Sequence, residues 1–286
     1  MNNGAPDGGR QAFKAAFSLR VKSGCALDRP CDVYDLISQL GITLQFIDVP
    51  SLEGMYLEDP EVTRICVCSQ RPSGRQKYTA AHELGHRVLG HGTQLDPSPE
   101  LRGNGTASPV EERLADMFAQ SVLMPPSAVN QGFRLRGYDP RAPRPDEVYV
   151  VSAWLGVGFT TLVQQMRLTL GLISHSQYKS LLRTDVKKLR EAIIGQSTNN
   201  ELWPLDAYWT GSKVHTQVGD FVTGADSENS EGLLEPVGST RSQKVYATRR
   251  VGECLVTLQD SGEVRLRVSR RAFAGFYEFR YLEECN

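Results

Sequence analysis

The stretch Tyr78-Thr79-Ala80-Ala81-His82-Glu83-Leu84-Gly85-His86 limits this chain more than any other, because it holds a His-Glu-x-x-His pattern inside a segment of helical character. On a helix His82 and His86 stand one turn apart, about 40° around the axis, so both imidazoles can reach one cation. Glu83 then projects beside that cation. This is the geometry of a zinc ion that acidifies a water while the carboxylate takes the proton and hands it to a leaving amine. The reaction it suggests is peptide-bond hydrolysis, with Glu83 as general base. An isolated match also suits a helix with two surface histidines and a salt-bridging glutamate, so the surroundings have to decide.

Ser73-Gly74-Arg75-Gln76 has the form of a capping box, which predicts a helix start shortly before His82, and Gly90 and Gly92 offer stops after it. For the third ligand, Gly90 and His91 fall one residue out of step with the metzincin pattern, leaving His91 as an outer partner or a helix-end residue. A glutamate on a following helix is the alternative. Ser108-Pro109-Val110-Glu111 predicts a second capping box with Ser108 at the N-cap and Pro109 at the first helical position; that occupies Glu111 and leaves Glu112 for the metal. Ala115, Asp116 and Ala119 share the face of Glu112. The small residues would let this helix approach the first closely, and Asp116 could accept the spare ring N–H of a metal-bound histidine.

Composition excludes little else. The chain has 286 residues, 40% hydrophobic and 23% charged, with a net charge of −1, which gives no global attraction to nucleic acid. No apolar run is long enough for a membrane span and the Gly-Ala-Pro-Asp-Gly-Gly start lacks the apolar core of a signal peptide, so a cytoplasmic protein is expected. Six cysteines without a C-x-x-C pair are read as reduced thiols, with Cys66 and Cys68 packing on one strand face.

In chain order, residues 1–9 are expected to be disordered, followed by a helical stripe over Gln11 to Val21 and a helix over Asp32 to Leu40 ended by Gly41. Strands are predicted at Ile42 to Val49, Met55 to Leu57 and Arg64 to Cys68, a small sheet whose edge could hold an extended peptide. His91 to Ala107 reads as a loop and Ser127 to Arg144, broken by Gly and Pro, as a linker. Two short helices about Gly156 then suggest a helix-turn-helix. Its second helix offers only Arg167 as a cation, with Lys179, Arg183, Lys187, Lys188 and Arg190 beyond it, so direct DNA binding stays open. Lys244 to Thr248, Cys254 to Gln259 and Glu263 to Ser269 alternate as strands of a mixed C-terminal domain in which His215 reads as a surface or core histidine.

Asp35-Leu36-Ile37 with Leu40-Gly41-Ile42, the His82 to His86 motif, and Glu112-x-x-Ala115-x-x-Phe118-Ala119 with Leu123-Met124-Pro125 together resemble the ImmA/IrrE family of zinc-dependent peptidases. The resemblance covers roughly residues 30–180, and beyond that only the order of domains is similar. It implies an α+β chain with a zincin-like peptidase domain over residues 1–140, a helix-turn-helix domain over 141–195 and a GAF-like sensor domain over 196–286. It implies that His82, His86 and Glu112 ligate zinc and that Glu83 is the general base; manganese could occupy the same donors in the cell. It implies a partner as well, a helix-turn-helix repressor of the DdrO type whose cleavage switches on DNA-damage and radiation response genes. Position 116 departs from the family, being Asp where Asn is common. A rival reading is a DNA-binding transcriptional activator with a structural metal, and a small-molecule signal at the C-terminal domain is compatible with either.

Overall fold

The computed structural model describes residues 5–98, 109–226, 230–239, 243–259 and 262–282. The chain divides into two compact units: Met1–Gly132 with Leu155–Gly158 and Ala274–Tyr277, and Phe133–Trp154 with Phe159–Phe273 and Glu278–Asn286.

The first unit opens with α1 (Ala5–Lys22) and α2 (Val33–Gln39). Helix begins at Ala5, earlier than the composition suggests, because Pro6 falls in the first turn, where its missing N–H breaks no intrahelical bond. Asp32 caps α2 by accepting from the Tyr34 amide at 3.1 Å. Strands β1 (Thr43–Ile47), β2 (Leu52–Leu57) and β3 (Arg64–Cys68) lie where strands are predicted, β2 starting three residues before the predicted Met55. Cys66 and Cys68 are buried on β3, in keeping with a packing role.

Helix α3 (Ser73–Leu89) starts at the expected place with different cap chemistry. Pro72 is the N-cap and Ser73 the first helical residue, so no capping box forms. Gln76 instead donates to the carbonyls of Ser69 at 2.9 Å and Arg71 at 2.8 Å, tying the entering chain to the helix. Gly90 ends the helix at φ +73°.

The stretch read as a loop contains β4 (Gln94–Pro97). Helix α4 (Val110–Leu123) begins one residue later than predicted, with Pro109 as N-cap in extended backbone and no side-chain cap. Glu111 therefore has no capping role here, and Ser108 lies outside the described residues. Pro125 stops α4 as expected, but Pro126 opens α5 (Pro126–Arg134) within the segment read as a linker, proline being well suited to a first helical turn.

The sheet of this unit runs from the short strand Gly275–Phe276 through β1, β3 and β2 to β4 at the far edge. β1 and β3 are parallel; β2 is antiparallel to both β3 and β4. Arg20, fully buried on α1, donates to the carbonyls of Val122 on α4 and of Ala26 and Arg29, fastening the two helices together.

The second unit contains α6 (Pro145–Leu155, its last residue aside), α7 (Phe159–Gln164) running into a π-turn at Gln165–Thr169, α8 (His175–Leu182) and α9 (Val186–Ile194). Gly156, at φ +73°, lies in the turn between α6 and α7. Ser174 and Gln177 form a capping box on α8. Strands β5 (Leu202–Pro204), β7 (Phe221–Thr223), β9 (Lys244–Thr248) and β8 (Leu234–Ser239) make one sheet in that order, and β10 (Gly252–Thr257), β11 (Glu263–Ser269) and β6 (Lys213–Gln217) another. His215 is a core residue, its Nδ1 2.6 Å from the Tyr281 hydroxyl. Asp260 and Ser261, read as a turn, lie outside the described residues. Among the described residues no helix is long and apolar enough to cross a membrane.

The described cysteines are free thiols; Cys285 lies outside them. Cys31 donates its S–H to Cys25 Sγ at 3.1 Å, and this bond holds the Cys25 thiol down at about 7. Its reactive thiolate should therefore build up as pH rises through about 7. Alkylation of Cys25 by iodoacetamide should be half-maximal near that pH, and Cys31→Ala should move the midpoint up toward the ordinary thiol value of about 8.5.

Candidate metal centre

His82, Glu83 and His86 lie on the buried face of α3. Gly85 decides how near α4 can come: a Cβ there would lie 3.1 Å from the Ala115 Cα and from the Phe118 ring. With Gly85 on one side and the buried Ala115 and Ala119 on the other, the backbones approach closely enough for Glu112 to reach both imidazoles. Its Oε2 is 3.4 Å from His82 Nε2 and its Oε1 3.4 Å from His86 Nε2.

The other ring nitrogens are held from outside. His82 Nδ1 is 3.0 Å from Asp116 Oδ1, which also accepts from the Tyr78 hydroxyl at 3.3 Å. Burial pushes the Tyr78 hydroxyl well above its usual pKa, so it stays a donor. His86 Nδ1 faces His91 Nδ1 at 3.0 Å, the outer position expected for His91. With each Nδ1 engaged, the Nε2 atoms turn toward each other at 3.0 Å.

Sequence reasoning missed two residues here. Asp96 on β4 is buried and brings Oδ2 to 3.1 Å from His82 Nε2. Gly54 on β2 makes room for the Glu83 carboxylate: a Cβ there would lie 2.4 Å from Glu83 Oε1 and 2.5 Å from Thr79 Cγ2. Glu83 itself is fully buried, its carboxylate packed over this bare stretch of strand. An acid in Gln94-Leu95-Asp96-Pro97 and a glycine in Leu52-Glu53-Gly54-Met55 carry no mark of their own in the sequence. Only the sheet register, which sets Gly54 opposite Asp96, brings them to the helix.

The donor set suits a small divalent ion. One donor atom each from His82, His86, Asp96 and Glu112 lies within 4.8 Å of the others. Bonds of about 2.0–2.1 Å in a tetrahedron put ligand atoms about 3.3 Å apart, and the contacts of 3.0, 3.1 and 3.4 Å straddle that value. The charge agrees as well. Burial opposes a proton on His82, yet the carboxylates of Asp116, Asp96 and Glu112 prevail and push its pKa up to about 12. His86 goes the other way, to about 4, through burial and the neighbouring charge on His82. The pocket thus calls for positive charge at its centre, and a cation among the four donors supplies it.

Residues 37–160 match the model of the IrrE N-terminal-like domain, peptidase family M78. Over 102 residues, 35% of each chain, the sequence is 34% identical to the radiation response metalloprotease IrrE of Deinococcus deserti. The chain thus spans about a third of that curated relative. Among solved structures, a Mycobacterium tuberculosis transcriptional regulator superposes with a TM-score of 0.35 and 20% identity, covering 56% of this chain and 46% of that one, too weak a likeness to carry an argument. The match over residues 37–160, together with the likeness to IrrE over 102 residues, relates that segment of the chain to the IrrE N-terminal-like peptidase domains.

Proposed function

We propose that the chain is a site-specific zinc metalloendopeptidase. The observation that carries this reading is the buried convergence of His82, His86 and Glu112, with Glu83 seated beside them on α3. A bound zinc, or manganese on the same nitrogen and oxygen donors, would polarise the scissile carbonyl and acidify a water. Glu83 takes the proton from the attacking water and delivers it to the departing amine. Asp116 fixes the ring of His82 and His91 that of His86, so the two Nε2 atoms are aimed before a metal arrives. An extended substrate can lie along the exposed edge of the sheet, held by backbone pairing.

The substrate we propose is a helix-turn-helix repressor of the DdrO type, whose cleavage releases DNA-damage and radiation response genes. The likeness to a radiation response metalloprotease supports this assignment. In the same reading, α6 and α7 belong to a helix-turn-helix region over residues 141–195, residues 196–286 form a GAF-like sensor that accepts a small-molecule signal, and the protein works in the cytoplasm. A DNA-binding activator is less well supported. The exposed side chains of α7 and its π-turn include Thr160, Gln164 and Leu168, none of them cationic, and the one cation there, Arg167, is half-buried and donates to the Ile173 carbonyl at 3.3 Å, which leaves little positive charge to attract the phosphate backbone.

Two substitutions test the reading. Glu83→Gln should keep the metal while cleavage of a purified DdrO-type repressor falls by about 10²-fold or more; undiminished cleavage removes Glu83 as the base. Gly54→Ala puts a methyl where the Glu83 carboxylate lies and leaves the four donors alone. Metal content should be unchanged and cleavage should fall about 10²-fold, the usual effect of misplacing a catalytic group by about 1 Å. Both are read by gel assay beside metal analysis.

A further inference from the structure

We propose that Asp96 is a fourth protein ligand that closes the metal centre in this conformation, so that a reactive water is admitted only when β4 moves away. The inference rests on the metallopeptidase reading above. Catalytic zinc sites keep one position open beside three protein ligands, whereas sites with four protein ligands are structural and closed. His82, His86 and Glu112 already make three. Asp96 lies where the fourth would be, buried, with its oxygen 3.1 Å from His82 Nε2.

A plain hydrogen bond accounts poorly for that contact. His82 Nε2 meets three acceptors, Asp96 Oδ2 at 3.1 Å, Glu112 Oε2 at 3.4 Å and His86 Nε2 at 3.0 Å. One proton can serve only one of them well; a metal ion serves all. His82 moreover has its Nδ1 on Asp116. With a metal in place of that proton, His82 still donates from Nδ1 to Asp116 and its Nε2 lone pair and the Asp96 oxygen would both face the cation.

The position of Asp96 in the fold makes the closure reversible. Among the described residues β4 is the last strand of its sheet, has four residues and pairs on one side only, with β2. The pairing is already irregular between Leu52 and Gly54, Leu95 is 61% exposed, and Pro97 has no amide hydrogen to give. The other three donors stand on α3 and α4, which are packed face to face. Of the four, Asp96 is the one that can leave while the rest of the centre stays intact.

The test uses the full chain loaded with cobalt(II), whose visible spectrum reports coordination, and azide as a probe for an open vertex. Asp96→Ala and Asp96→Asn should bind azide at least tenfold more tightly than the wild type, and Asp96→Ala should hold cobalt at least tenfold more weakly. Equal azide affinity in wild type and variants, with cobalt bound in all, overturns the closure and leaves the metallopeptidase reading standing. A wild-type chain that binds no cobalt overturns both. If the variants do not fold, the wild type decides alone: a full spectral response to millimolar azide rejects a closed centre, and its absence supports one.

Discussion

The separation of α3 and α4 governs everything at this centre. Glu112 can meet His82 and His86 only because no side chain stands between Gly85 and Ala115, and a single methyl at Gly85 would press on the backbone of the opposite helix. Protein interiors transmit such misfits instead of absorbing them. A displacement of a few tenths of an ångström would reach the carboxylate, whose oxygens are 3.4 Å from both imidazoles. The buried Arg20 on α1, bonded to the Val122 carbonyl of α4 and to the Ala26 and Arg29 carbonyls that follow α1, ties α4 to the start of the chain. Gly85 and Arg20 thus bear on the distance between the donor groups of the two helices.

Where the candidate site depends on neighbours in the sequence, the placement of its residues could be read directly. His82, Glu83 and His86 share one helix, and the alternation of β1 to β3 follows from burial on a sheet. Glu112 and Asp116 required a further step, a second helix with small residues on the same face, and the structure brings both to His82. Asp96 and Gly54 were out of reach because each acquires its meaning from the pairing of β4 with β2. The helix starts failed in another way. Ser73 and Gln76 have capping-box spacing, but Pro72 takes the N-cap position and Gln76 finds carbonyls in the entering chain. Spacing specifies which groups could meet, and the local backbone selects among their partners.

The rest of the chain shows the same division. β9 and β11 span the residues read as strands, while β5 and β7, of three residues each, β8, broken by Pro236 and Gly238, and β6 went unread. Gly275–Phe276 is the extreme case. Two residues that carry no periodicity form an edge strand against β1, more than 200 positions earlier in the chain. Such a pairing is stabilised by its neighbours in space, so a window of sequence has no means of reporting it.

The electrostatics of the centre add a reason for its burial. Carboxylates gathered around one imidazole repel one another, and for Asp96 and Glu112, largely out of water, leaving such charges without a counterion costs several kcal/mol. The pull on a proton at His82 expresses that repulsion. A divalent ion removes it more completely, since it faces four donors at once and a proton only one. The folding energy put into crowding Asp96, Glu112 and Asp116 around His82 would be returned as affinity for a metal, and a bound metal would in turn stabilise the fold. Both effects are strongest where the donors are most buried, so a helix pair alone, without the sheet edge across it, would hold its metal less tightly and admit water more freely. The edge strand completes the centre by adding a ligand, and the weakness of its own pairing is what allows that ligand to withdraw.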